Sequence, residues 1–318
     1  MGPDMKNRMC TRVAMLIALV TPLLIVAAGT AGAGEGDESN GHEKDGHAPI
    51  TVTVPADCTQ AAAFTPKDFP RRARVDNKWF PLRPGTNFVM SGTVVDEQGV
   101  THRHEIVTTV TDLTKTINGV RSIIVFDRDL DNGELQESEL AFMAQDEDNR
   151  VWNVGEYPEE YVDGKLDGAP STWIAGIARA TAGVGMLPKP RVGTAAYLQG
   201  FAPKVDFRDC AQVVQTDQKV CVPVRCYHHV LVTEEWAPLE PDGGHQLKYY
   251  APGVGSIKVA AAGGVNAEAL TLASTSTLNP AALAKIRDAV IAQDRRGYRV
   301  AKNVYAHTSP VGRLAACH

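Results

Sequence analysis

Residues 80–259 are built from short β-branched runs cut by turn residues, and the pattern is used twice. Thr93-Val94-Val95, Ile106–Val110, Ile123–Phe126, Val213-Val214 and Val230–Thr233 are rich in residues that suit a pleated, half-buried surface. Between them stand Glu97-Gln98-Gly99, Asn118-Gly119, Asp131-Asn132-Gly133 and Asp242-Gly243-Gly244, which supply the positive φ of tight hairpins. No helical period runs through this stretch, so it must form antiparallel strands.

The two rounds align in order. Phe80-Pro81-Leu82-Arg83-Pro84-Gly85-Thr86 matches the segment from Leu187 to Thr194, Val120–Asp127 matches Tyr227–Glu234, and Leu140–Ala144 matches Leu247–Ala251. The offset stays near 107 positions, which reads as an internal duplication. The expected fold is mainly β: a duplicated antiparallel meander, closed as a sandwich or half-barrel, with a C-terminal α-helix. The expected units are 51–170 and 187–275, joined by an Ala/Gly-rich segment, 171–186, read as a lid-like loop or short helix.

After residue 275 the period changes. Asn279 is a good N-cap and Pro280 suits the first turn. Leu283, Ile286, Val290, Gly297, Ala301 and Val304 then share one helical face, opposite Lys285, Arg295, Arg296, Arg299 and Lys302. The region 276–318 is therefore a helix and tail.

At the other end, Lys6, Arg8 and Arg12 precede an apolar run from Val13 to Ala28 and the small residues Ala31-Gly32-Ala33. Residues 1–33 read as a secretory signal peptide, and 34–50 as a polar, Gly-rich, acidic leader. The protein is expected outside the cytoplasm, and not integral to a membrane once the signal is removed. The net charge is −5, with no broad basic tract, which argues against nucleic acid as a partner. Beyond the signal lie Cys58, Cys210, Cys221, Cys226 and Cys317, so disulfides are expected in an oxidising compartment. Cys210 with Cys226, across a hairpin turning near Asp217-Gln218, and Cys58 with Cys317 are feasible pairs, although sequence does not fix connectivity.

Four blocks carry a resemblance. Asn77–Thr86 (NKWFPLRPGT), Trp152–Glu156 (WNVGE), Tyr249–Gly255 (YYAPGVG) and Arg296–Val300 (RGYRV) resemble a group of uncharacterised secreted bacterial proteins, over most of residues 76–305. Each round also looks like the sheet unit of periplasmic lipoprotein-carrier half-barrels. That likeness implies a concave sheet able to hold acyl chains.

Reactive motifs are missing: no G-x-S-x-G elbow, H-E-x-x-H or phosphate-binding Gly loop occurs. No residue is assigned as catalytic, and no cofactor is firmly implied. His102 and His104 alternate onto one strand face, as two ligands for zinc would, with Glu105, His228 or His229 as a possible third. Asp127, Asp129 and Asp131 precede Asn132-Gly133 like the start of a calcium loop, but Gly falls one place late and Ser138 stands where the bidentate Glu belongs. Glu234-Glu235 and the Glu156, Glu159, Glu160 group lie beside aromatics, as in glycosidase clefts. The expected role is an exported, non-enzymatic protein that binds an apolar or amphiphilic molecule, or a cell-envelope component, with Trp152, Trp173, Trp236 and Tyr249 on the binding face. Phe80 and Tyr250 are further candidates for that face. The rival is a secreted hydrolase using carboxylates or a His-bound metal.

Overall fold

A computed structural model of the protein describes residues 58–314, apart from residues 97 and 266. The proposed signal peptide, the acidic leader and Cys317 lie outside the described residues. The order is β1 (Thr86–Val95), β2 (Thr101–Ile117), β3 (Val120–Asp131), β4 (Glu134–Gln145), β5 (Val151–Val162), β6 (Lys165–Gly168), β7 (Trp173–Ile174) and β8 (Thr181–Met186). There follow β9 (Tyr197–Ala202), β10 (Phe207–Val222), β11 (Arg225–Trp236), β12 (His245–Ala251), β13 (Gly255–Ala262), β14 (Glu268–Thr277), α1 (Pro280–Val300), α2 (Lys302–Tyr305) and β15 (Gly312–Arg313).

The antiparallel mainly-β fold with a C-terminal helix holds, and the sheet closes on itself. From β2 the ladder runs through β3, β4, β5, β8, β9, β10, β11, β12, β13 and β14 to β1, and β1 also pairs with β2. The ring is a barrel, so it leaves neither wall with a free edge. Its seam joins Thr86 to Thr277 and Val94 to Glu268 on one side, and Asn87 to Thr109 on the other. Gly92 permits the close approach there: a Cβ would lie 1.8 Å from the Ala269 carbonyl oxygen.

The turns form at the Gly and Asn signals. Asn118 (φ 45°), Gly119 (φ 80°), Asn132 (φ 52°) and Gly133 (φ 88°) carry the hairpins β2–β3 and β3–β4. Residues 171–186 are neither lid nor helix. They contain β7 and β8, because Gly155 and Glu156 of β5 pair with Ile174 and Trp173, and Val151–Asn153 pair with β8.

The disulfides correct both expected pairings. They join Cys58 to Cys210 and Cys221 to Cys226. The β10–β11 hairpin turns at Pro223-Val224, not at Asp217-Gln218. Cys221 therefore stands opposite Cys226, and Cys210 opposite Trp236. Asp217 (φ 61°) sits instead where the ladder bulges between Gln215 and Gln218. The Thr59 bridge to Tyr197 brings Cys58 alongside the barrel wall.

Helix α1 begins as expected, with the Asn279 side chain accepting from the Ala282 amide at 2.9 Å. It lies on the outside of β2, β4 and β5. Ser138 donates to Gln293 Oε1 at 2.8 Å, and Arg287 pairs with Asp112 at 2.8 Å. Arg296, set by the helical period opposite the apolar face, makes a two-pronged pair with Glu159, whose side chain is fully buried. Lys285, Arg295, Arg299 and Lys302 are exposed. Gly297 lets the helix reach Tyr305 and Tyr157, since a Cβ would lie 2.6 Å from the Tyr305 ring.

A buried charge fixes the helix. Lys115 Nζ donates to Asp294 Oδ1 at 2.5 Å and to the Ser309 carbonyl at 2.8 Å, while Tyr305 donates to the same carboxylate at 2.8 Å. Breaking a buried pair by removing one partner leaves an uncompensated charge. Lys115→Met is expected to cost about 3–5 kcal/mol in urea unfolding, and Lys115→Met/Asp294→Leu to recover part of it. A silent single mutant would show that this pair does not hold the helix.

Candidate functional site

Alternation and register decide which side chains enter the barrel. Thr108, Val125, Asp127, Met143, Lys248, Tyr250 and Val259 line an internal cleft. Asp129 and Asp131 follow Asp127 at two-residue steps on β3 and so share its face. Directly paired residues also share a face. Asp127 stands opposite Glu139, Asp129 opposite Glu137, and His104 opposite Asp131. The interior thus has two zones: an apolar mouth, and a chamber of carboxylates beneath it.

The mouth is walled by Phe80, Leu82, Phe88, Val125, Met143 and Tyr250. Asp127 and Lys248 stand at its polar side. Lys248 Nζ is 2.8 Å from Glu235 Oε2. Thr108 hydrogen-bonds to the Asp127 carboxyl group. Burial pushes the Asp127 pKa up to about 6, against the opposing effects of Thr108 and the Arg128 charge.

In the chamber, Glu139 is buried and its Oε1 has no hydrogen-bond partner. Burial, then the charges of Glu156, Glu137, Asp127 and Asp129, push its pKa well up. Asp129 and Asp209 are also raised, chiefly by burial and further by neighbouring acids, with the His104 charge opposing the shift at Asp129 and Lys248 opposing it at Asp209. Glu156 accepts from Trp173 Nε1 at 2.9 Å and from Asn153 Nδ2 at 2.5 Å. Burial still raises it, because those bonds offset only part of the lost hydration.

His104 closes one end of this chamber. Its Nδ1 lies 2.7 Å from Asp131 Oδ1 and 3.3 Å from Asp129 Oδ1, and its Nε2 lies 3.0 Å from Glu268 Oε1. Burial works against the imidazolium, but the bonds to Asp131 and Glu268 and the Asp129 charge outweigh it and push its pKa up to about 10. The ligand atoms of His104, Asp129 and Asp131 lie within 4.8 Å of one another.

No family model matches this chain, and no curated protein matches it. Among solved structures, it is similar to a candidate exported protein with a YmcC-like fold from Bacteroides fragilis. The identity is 12% and the TM-score 0.34, over 63% of this chain and 100% of the other. A candidate lipoprotein from Parabacteroides distasonis gives 11% identity and a TM-score of 0.31, over 63% and 100%.

Of the five metal candidates read from the sequence, the structure brings His104, Asp129 and Asp131 together and leaves His102 and Asp127 outside that group. His102 turns to its own partners, Asp96 at 2.7 Å and Asn132 at 3.1 Å, and does not join His104 in one ligand set. His228 and His229 are exposed on the β10–β11 hairpin. Asp127, Asp129 and Asp131 lie along an extended strand, not around a loop, so they cannot wrap one calcium ion as the spacing had suggested. Glu234 pairs with His245 at 2.7 Å on one face of β11, and Glu235 pairs with Lys248 on the other.

Of the four assigned aromatics, Trp173 is nearest the chamber, bonded to Glu156 and stacked on Phe207 at 5.1 Å. Trp152 packs under Phe64 at 5.3 Å, and its Nε1 donates to Asp146. Trp236 stacks on His245 at 5.4 Å. Tyr249 sits 5.0 Å from Lys258 Nζ, while its neighbour Tyr250 lines the cleft. Phe80 also lines it; Phe88 and Glu139 are absent from the sequence-derived candidates, and Glu156 enters them only within the glycosidase-like group. The available signal was the alternation Asp127-Arg128-Asp129-Leu130-Asp131, which puts three acids on one strand face.

Proposed function

We propose that this is an exported, non-enzymatic barrel that holds a small amphiphilic molecule at its mouth. The observation that carries this reading is the juxtaposition in one cleft of an apolar wall and a polar edge. The apolar tail lies against Phe88, Val125, Met143 and Tyr250, and the polar end faces Thr108, Asp127 and Lys248. Export is supported by the basic, apolar and small-residue order of residues 1–33 and by two disulfides. Among the described residues no helix is long and apolar enough to cross a membrane.

The test uses a fluorescent apolar probe. Val254 lies at the cleft and is only half-buried, so Val254→Trp obstructs the mouth without overfilling the core. The native protein is expected to bind the probe stoichiometrically, and Val254→Trp at least about tenfold more weakly with an unchanged Tm. A native protein that takes up no probe overturns the reading.

A second reading has its own support. A divalent ion such as zinc at His104, Asp129 and Asp131 is favoured by their converging ligand atoms. It requires His104 Nδ1 to give up the proton it directs at Asp131. Stoichiometric metal in the purified protein, lost in His104→Gln, would establish it. Metal-free protein after incubation with zinc would dismiss it.

A further inference from the structure

We propose that the molecule held at the mouth carries a positive charge, an amine or ammonium head on an apolar body, and that Asp127 receives it. This rests on the amphiphile reading above and names its chemistry.

Asp127 lines the cleft and is 6% exposed, yet its Oδ1 has no hydrogen-bond partner. Thr108 serves the carboxyl group from one side only. Across the β3–β4 ladder stands Glu139, 2% exposed, with its own Oε1 unsatisfied. Like charges directly opposite one another on paired strands repel, and burial strengthens the repulsion. The groups acting on Glu139 are themselves acids: Glu156, Glu137, Asp127 and Asp129. A cation entering from the mouth therefore meets unsatisfied acceptor oxygens and a field that attracts it.

The basic groups nearby do not cancel this field. Lys248 is the basic residue in the cleft lining, and its ammonium is held by Glu235 at 2.8 Å, with Glu268 and Asp209 also acting on it. His104 is enclosed by Asp129, Asp131 and Glu268. Arg128 alternates to the other face of β3, where its guanidinium lies 5.7 Å from the Phe126 ring. An anionic head would meet the acids without a free cation to offset them.

The walls select the kind of cation. A bare metal ion seeks several oxygen ligands, whereas this cleft offers mainly Phe80, Phe88, Tyr250 and aliphatic side chains. Such surfaces suit an organic cation, whose charge is attracted to ring faces and whose body is apolar.

The experiment compares decylammonium, decanol and decyl sulfate by calorimetric titration at pH 8, below their micelle concentrations, on the native protein and on Asp127→Asn. Native protein is expected to bind decylammonium at least about tenfold more tightly than decanol, and decyl sulfate most weakly. Asp127→Asn is expected to bind decylammonium and decanol alike. The ranking on native protein stands alone if the variant does not fold. Equal binding of all three ligands overturns the charge assignment and leaves the amphiphile reading intact, and so does a preference for decyl sulfate. A preference for the amine that survives Asp127→Asn overturns the role of Asp127. No binding of any of the three overturns the amphiphile reading together with this one.

Discussion

His104→Leu is expected to destabilise the protein by about 3–5 kcal/mol, the cost of removing one partner from a buried ionic cluster. For a chain of this size that is a fall in Tm on the order of 10 °C. The imidazole side chain is fully buried, and both its nitrogens face carboxylates: Asp131 and Asp129 at Nδ1, Glu268 at Nε2. Leucine is of similar size but leaves three acids facing one another with no cation between them. The loss should be smaller at pH 5 than at pH 8, because burial already favours the protonated form of Asp129 and acid relieves the repulsion further. Thermal unfolding at both pH values checks this. An unchanged Tm, or a fall independent of pH, would mean that the acids do not depend on His104.

Acidification of the native protein, from pH 8 to pH 5, is expected to raise its stability. A carboxyl whose folded pKa lies above its unfolded value binds more protons folded than unfolded. Its contribution is fully present below the unfolded value and is lost as pH rises through the folded one. Asp127, moved by burial from 3.8 to about 6, loses it between those limits, a change on the order of 3 kcal/mol. Asp129, Glu139, Glu156 and Asp209 are shifted the same way, so their contributions are lost in the same direction. His104, moved from 6.5 to about 10, adds stability that is present below 6.5 and lost as pH rises toward 10. Both kinds of group therefore slope alike. Urea unfolding from pH 4 to pH 9 should show stability highest on the acid side, and a maximum at pH 7–8 would overturn this account of the chamber.

How much of this was legible depended on whether the cause was local. The α1 start follows from Asn279 and Pro280 alone, because a cap is satisfied within one turn. The hairpins at Asn118-Gly119 and Asn132-Gly133 follow from positive φ in the same way. Closure was not legible, since the pairing of Phe88 with Thr275 and Thr108 is a contact between distant segments with no local mark. Facing was legible only until the ladder slipped. A register shift between Ala141 and Met143 breaks simple alternation along β5. On β12 alternation holds: Lys248 and Tyr250 line the cleft and Tyr249 between them does not. A charge is usually solvated, so nothing local marks a buried acid. Glu139 and Glu156 depart from this rule, since the strands that carry them curve around an enclosed space.

The seam between β1 and β14 bears on how the chain reaches this state. These strands stand at opposite ends of the sheet sequence, with ten wall strands between them. Loop closure over such a span is a large entropic step, and folds dominated by such non-local pairings reach the native state slowly. With the seam unpaired, the barrel would be an open curved sheet with hydrated interior acids and two outer strands offering unpaired backbone. Sealing the seam is therefore the event that both dehydrates the carboxylates and removes the aggregation-prone edges. A weaker seam would expose both at once.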